Sequence, residues 1–233
     1  MSVFARLKAA ALDDWNSYVD HAFIRQMEDG TLPEAVFQSY LVQDYLFLIQ
    51  FARANALAIY KSRTLDDMRI AQTSLNVIMN EMNLHVRLCE RWGLSPADLE
   101  AAPEHRATVA YTRYVLDCGA SGDLLDLHVA LAPCVIGYAE IGKRLEPALL
   151  ANPDHPYREW ISEYASDGFQ EAAQASIAHL DRLAELSLTE KRFDGLTAIF
   201  AAASRLEADF WQMGYDIADE RRNHPAGIKP LGA

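Results

Sequence analysis

The sequence predicts an all-α fold, and three observations carry that expectation. No segment sustains the alternation of apolar and polar residues, bounded by hairpin turns, that a strand requires. Apolar residues recur at helical spacing instead, in long runs such as 33–60 and 123–150. The breaks between runs carry residues that start or stop helices: Asp29-Gly30, Thr64 with Asp67, Ser95-Pro96, Gly119 and Asn152-Pro153-Asp154-His155-Pro156.

Taken in order, residues 2–28 read as one amphipathic helix that stops at Asp29-Gly30, a pair suited to a helix C-terminus. Pro33 falls where a first-turn proline is tolerated, and the aromatic-rich segment behind it runs as helix to about Tyr60. Thr64 with Asp67 three residues on resembles a capping box and opens a third helix that ends before Gly93. Ser95-Pro96 caps a short helix, and another spans about Glu104 to Cys118. The central helix covers about Asp123 to Leu150 and contains Pro133, which removes a backbone hydrogen bond and tends to kink the axis. Two long helices follow the 152–156 break, at 157–186 and 190–219. No break is long or polar enough for an interdomain linker, so the reading is one helical domain, 1–220. The tail, 221–233, with His224-Pro225 and Lys229-Pro230, is expected to be extended or irregular.

Composition narrows the function. The 233 residues carry 21 Lys plus Arg against 33 Asp plus Glu, a net charge of -12. A nucleic acid or an anionic membrane needs a basic patch, so neither is the expected partner. The three cysteines, Cys89, Cys118 and Cys134, are odd in number and form no C-x-x-C pair, which argues against a disulfide framework or a zinc site. Reduced thiols suit the cytoplasm. Residues 1–11 lack the pattern of a signal peptide, and no stretch reads as long and uncharged enough to span a bilayer. A soluble cytoplasmic protein is the expectation.

Candidate chemistry lies where polar groups interrupt apolar helices. Cys134 and Tyr138 are four residues apart, sharing a helical face next to Pro133. Asp44 has aromatic or apolar neighbours on nearly every side and either points outward or is paired inside, because an unpaired buried charge is too costly. Glu207 and Trp211 are one turn apart in an apolar stretch, where an Arg or Lys partner is the plain structural alternative. Trp160 and Tyr164 form an aromatic stripe, more often core than pocket, although buried tyrosine hydroxyls need partners. Glu81 and His85 sit at i,i+4, whereas di-iron bundles use Glu-x-x-His in pairs, and no second copy exists; a structural or supporting pair is the better reading. A lone His21 is a poor warrant for a haem ligand. Neither a metal nor an organic cofactor is expected.

Four ordered motifs raise this set above coincidence. They are Tyr40-Leu-x-Gln43-Asp44-Tyr45, Cys134-x-x-Gly137-Tyr138-x-Glu140-Ile141-Gly142, Tyr157-x-x-Trp160-Ile-x-x-Tyr164-x-x-x-x-Phe169 and Glu207-x-x-Phe210-Trp211. Together, and with His21-Ala22-Phe23 and Gly30-Thr31-Leu32 near the start, the chain resembles the TenA family of thiaminase II, or aminopyrimidine aminohydrolase, enzymes along nearly its full length. The resemblance implies a haem-oxygenase-like helical bundle without haem, a homotetramer, and an aminopyrimidine or thiamin as the small-molecule partner. It implies Cys134 as nucleophile, Glu207 as acid/base and Asp44 as the residue holding the pyrimidine by a two-oxygen grip, with Tyr138, Tyr164, Phe47 and Tyr111 around the ring. Phe47 stands where many members carry Tyr, and Ala22 replaces a common Pro. The implied activity is hydrolysis of 4-amino-5-aminomethyl-2-methylpyrimidine in thiamin salvage. The alternative in another class is a non-catalytic pyrimidine-binding or regulatory protein of the same fold.

Overall fold

The structure, a computed structural model, describes residues 1–223. Among them, α-helices and one π-helical turn account for all the regular structure, with no strand. The chain folds into two compact units: Met1–Leu32 with Ser121–Ala208, and Pro33–Ala120 with the chain from Asp209.

In the first unit the expected single helix at 2–28 is three helices: α1 (Val3–Ala10), α2 (Leu12–Val19) and α3 (Ala22–Glu28). Ala11 and Asp20 leave helical geometry, at φ -122°, ψ 37° and φ -113°, ψ 27°. His21 then turns extended and caps α3, its Nδ1 accepting the Phe23 N–H at 3.2 Å. That capping bond gives the imidazole a local structural task. Gly30, at φ 70°, ends α3 in the left-handed conformation that glycine adopts without strain.

The central segment is α8 (Leu124–Ala132), a π-helical turn (Pro133–Gly137) and α9 (Tyr138–Ala151). Asp123 and Asp126 cap α8 reciprocally. Contrary to the sequence expectation, Leu124–Ala151 is long and apolar enough to cross a membrane by length and composition; 67% of its most apolar window is buried inside the protein, where it forms core. The expected helix at 157–186 is likewise two, α10 (Arg158–Ala165) and α11 (Asp167–Ser187). Ser166 breaks it by turning extended and accepting the Phe169 N–H on its hydroxyl. The last helix, α12 (Glu190–Asn223), contributes its residues up to Ala208 here. Aromatic packing closes this unit's core: Trp15 stacks on Phe200 at 5.5 Å and meets Phe4 edge-on at 5.4 Å.

The second unit holds α4 (Glu34–Lys61), α5 (Leu65–Glu90), α6 (Pro96–Ala101), α7 (Arg106–Ser121) and α12 from Asp209. Every residue of α4 from Ser39 through Leu48 is buried, which is why its sequence shows no polar face. Thr64 caps α5 through the Asp67 N–H, as expected, but its hydroxyl also donates to the Asp67 carboxylate, replacing the return bond of a full capping box. Ser95 and Asp98 complete such a box on α6. Gln43 ties the entry to α7 against α4: its Nε2 donates to the Pro103 carbonyl at 2.9 Å, and its Oε1 accepts from the His105 N–H at 2.8 Å and the Thr108 hydroxyl at 2.7 Å. Helix α12 continues one turn past the expected end at Asp219. Of the tail expected at 221–233, residues 221–223 are helical, and the part with His224-Pro225 and Lys229-Pro230 lies outside the described residues.

Candidate active site

Asp44 sits midway along α4 and is 3% exposed, so of its two sequence options the inward one holds. Its Oδ2 accepts the Tyr40 hydroxyl at 2.7 Å, one turn earlier on α4, and lies 2.6 Å from His85 Nε2 on α5. The other ring nitrogen of His85, Nδ1, is 3.2 Å from the Glu81 carbonyl oxygen. With an acceptor facing each nitrogen, the imidazole is satisfied when both are protonated beside an ionised carboxylate. Burial opposes that charge, but Asp44 at contact distance and the Glu81 carbonyl outweigh it and hold His85 above its usual range. The link between Glu81 and His85 seen in the sequence is thus real: the Glu81 backbone carbonyl faces Nδ1, and the Glu81 charge adds to the upward shift.

The same environment silences a cysteine. Cys89, one turn beyond His85, is fully buried, and burial together with the Asp44 charge pushes its thiol up to about 12. A thiol that stays protonated is a poor nucleophile.

Around Asp44 the second unit gathers rings. Phe47 is 5.4 Å from Phe51, 5.0 Å from Tyr111 and 5.4 Å from Phe210, and Tyr40 lies 5.1 Å from Trp211. The fold therefore brings the Phe47 and Tyr111 rings into contact. Where a tyrosine would place a hydroxyl, Phe47 offers only an apolar ring, stacked on Phe51 and tilted against Tyr111 and Phe210.

The remaining expected residues belong to the first unit. Cys134 is partly exposed, within a π turn whose Pro133, Ile136 and Gly137 are buried. Instead of a simple proline kink, the chain takes up the missing amide in wider i→i+5 geometry, a feature frequent at functional positions. Tyr18 donates its hydroxyl to the Pro133 carbonyl at 3.3 Å. A side chain at Gly137 would meet the Tyr18 ring at 2.3 Å, so this glycine makes room for that tyrosine. Tyr138 and Tyr164 are neighbours at 4.9 Å, and Tyr164 lies 4.4 Å from Trp160 and 4.9 Å from Phe169. Gln170 Nε2 donates to the Ala139 and Tyr164 carbonyls, both at 2.9 Å, joining α9, α10 and α11. Glu207, on α12, is 1% exposed.

Two residues support this region in ways the sequence did not specify. His85 reads in the sequence as a structural or supporting residue paired with Glu81, but its partnership with Asp44, 41 positions away, does not show there. Gln43 stood inside a quoted motif with no assigned task. Among the described residues, no group of three or more His, Cys, Asp or Glu is placed to hold a metal ion.

These features define a class: an all-α protein with a buried carboxylate–imidazole pair among aromatic rings, and a part-exposed thiol on a π turn. Residues 9–217 match the model of the TENA/THI-4/PQQC family, and the chain belongs to that family. It is 40% identical over 218 residues to an aminopyrimidine aminohydrolase from Halalkalibacterium halodurans, covering 93% of this chain and 96% of that protein. A TenA family transcription regulator from Silicibacter sp. TM1040 superposes with a TM-score of 0.85 at 43% identity, covering 91% of this chain and 96% of the other. A domain of unknown function from Shewanella denitrificans, described as having a haem-oxygenase-like fold, superposes with a TM-score of 0.74 at 15% identity over 97% of this chain and 96% of its own, a likeness of fold alone. The haem-oxygenase-like helical architecture expected from the motifs is the one observed.

Proposed function

We propose that this protein is an aminopyrimidine aminohydrolase that converts 4-amino-5-aminomethyl-2-methylpyrimidine to the 5-hydroxymethyl compound with release of ammonia, and cleaves thiamin more slowly. The observation that carries the reading is the 40% identity, along almost the whole of both chains, with a protein bearing that name. The Asp44–His85 pair within an aromatic cluster supports it, since a planar ring with an amino substituent needs stacking surfaces and an acceptor.

In this mechanism the Cys134 thiolate adds to ring carbon 6, forming a C–S bond. The ring electrons then expel the amine from the methylene on carbon 5, leaving an exocyclic alkene, and Glu207 donates the proton with which ammonia departs. Water adds to the methylene as Glu207 takes back a proton, and the electron pair returns to break the C–S bond. A thiolate suits both the attack and the departure. Asp44 accepts from the 4-amino group, Tyr164 binds a ring nitrogen, and Tyr138, Phe47 and Tyr111 line the ring. A cytoplasmic location and a homotetramer complete the proposal, the second checked by light scattering in solution.

The test is ammonia release from the purified protein given the aminomethylpyrimidine. Turnover by wild type that Cys134→Ser abolishes is the expected result. Equal turnover by Cys134→Ser would overturn the covalent mechanism. Stabilisation by hydroxymethylpyrimidine without any turnover would replace the enzyme by a pyrimidine-binding protein of the same fold.

A further inference from the structure

Asp44 Oδ2 carries both of the carboxylate's hydrogen bonds. One comes from Tyr40 on the same helix and the other from His85 on α5, at 2.7 and 2.6 Å. Oδ1 accepts from no described residue. An ionised carboxylate has about two acceptor sites on each oxygen, so Oδ2 is saturated and Oδ1 is open. The His85 ring is itself held by the Glu81 carbonyl at Nδ1, so it cannot turn without losing a bond at each end. Two donors from two helices thereby fix the rotation of the Asp44 side chain about its own bond.

We propose that His85 is a positioning residue for ligand recognition: with Tyr40 it occupies Oδ2 of Asp44 and presents Oδ1 as the single acceptor for one N–H of an aminopyrimidine. The proposal rests on the aminopyrimidine reading above and changes its detail. The two-oxygen grip expected from the family resemblance would need a third hydrogen bond on an oxygen that already has two. A one-oxygen contact selects for a donor at ring position 4 and against an oxygen there, which would face Oδ1 lone pair to lone pair.

The experiment compares wild type, His85→Gln and His85→Phe by calorimetric titration with 4-amino-5-hydroxymethyl-2-methylpyrimidine and with its 4-oxo counterpart. Steady-state kinetics on the aminomethyl substrate and circular dichroism as a check of folding accompany the titrations. His85→Phe is expected to weaken binding of the amino ligand about tenfold or more and to narrow its advantage over the oxo ligand, with KM rising by a larger factor than kcat falls. His85→Gln, which keeps an N–H near the same position, is expected to return to within about threefold of wild type. Wild-type affinity and selectivity in a folded His85→Phe would overturn the proposal, as would equal losses in both variants. A wild type that neither binds nor turns over any of these compounds would overturn the functional reading and this inference with it, so the two failures are distinct. Should His85→Phe not fold, nitrogen NMR of His85 in the wild type decides: both ring nitrogens protonated at neutral pH supports the pair, and a neutral ring overturns it.

Discussion

Replacing Gly142 by alanine is a sharp test of how the motif around Cys134 works. A Cβ at this position would lie 2.4 Å from the Tyr164 carbonyl carbon, 2.5 Å from its oxygen and 2.7 Å from the Ala165 nitrogen. These are backbone atoms of α10, so no rotamer change relieves the overlap. Ordinary contact begins near 3.4 Å, which means α9 and α10 must move apart by about 1 Å. That movement loosens Ile141, Leu145, Trp160, Ile161 and Tyr164, all at most 1% exposed. Overpacking of a well-filled core costs about 1–3 kcal/mol, and a clash with backbone belongs at the upper end, about 3 kcal/mol. For a chain of this size that lowers Tm by about 6–12 °C. Gly195→Ala is the matched control: it also lies within a helix, α12, but a Cβ there meets nothing within 4 Å. Alanine should stabilise that position by about 0.5–1 kcal/mol through backbone entropy. Thermal and denaturant unfolding of both variants, followed by circular dichroism, measure the two signs. Gly142→Ala within about 2 °C of wild type would refute the steric account, whatever Gly195→Ala does.

Two further predictions follow from buried polar groups. Gln43→Leu removes three hydrogen bonds and leaves the Thr108 hydroxyl, the His105 N–H and the Pro103 carbonyl to find other partners; a loss of about 2–4 kcal/mol is expected in urea unfolding, and a change below about 0.5 kcal/mol would count against Gln43 as the clasp between α4 and α7. Alkylation at pH 8, read by peptide mass spectrometry, should label Cys134 well before Cys89, since the first is partly exposed and the second is buried with its thiol held near 12; comparable rates would contradict that assignment.

The Asp44–His85 pair shows how a buried charge is tolerated in a helix with no polar face. A carboxylate enclosed from Ser39 to Leu48 would be expelled or neutralised if left alone. Here a histidine of raised proton affinity and a tyrosine hydroxyl share one of its oxygens. Removing either member of the Asp44–His85 pair leaves an uncompensated charge, which costs more than the intact pair contributes.

What could be read from the sequence was local. The helical class, the stops at Gly30 and Gly93, the Thr64 and Ser95 caps and the start of the last helix all follow from interactions between residues a few positions apart, and each is present. The identity of the buried polar candidates was legible too, because an acid, a thiol or a tyrosine inside an apolar run contradicts its surroundings. The family resemblance rested on the same motifs, and the family match along residues 9–217 agrees with it.

Tertiary structure decided the rest. The divisions of 2–28 and 157–186 lie at Ala11, Asp20 and Ser166, none of which is a glycine or proline; Ser166 carries a local capping signal, whereas Ala11 carries none. The π turn at Pro133 stands where a kink was expected, and its proline carbonyl accepts a hydrogen bond from Tyr18, 115 residues away. His85 became the partner of Asp44 only when α4 and α5 packed together and brought positions 41 apart into contact. Gly137 and Gly142, in the sequence merely small residues near Cys134, are required by a ring and a backbone from other helices. Local hydrogen bonds and dihedral preferences are encoded within a few residues, whereas steric exclusion and charge pairing depend on which distant segments meet, and that is set by packing the whole chain.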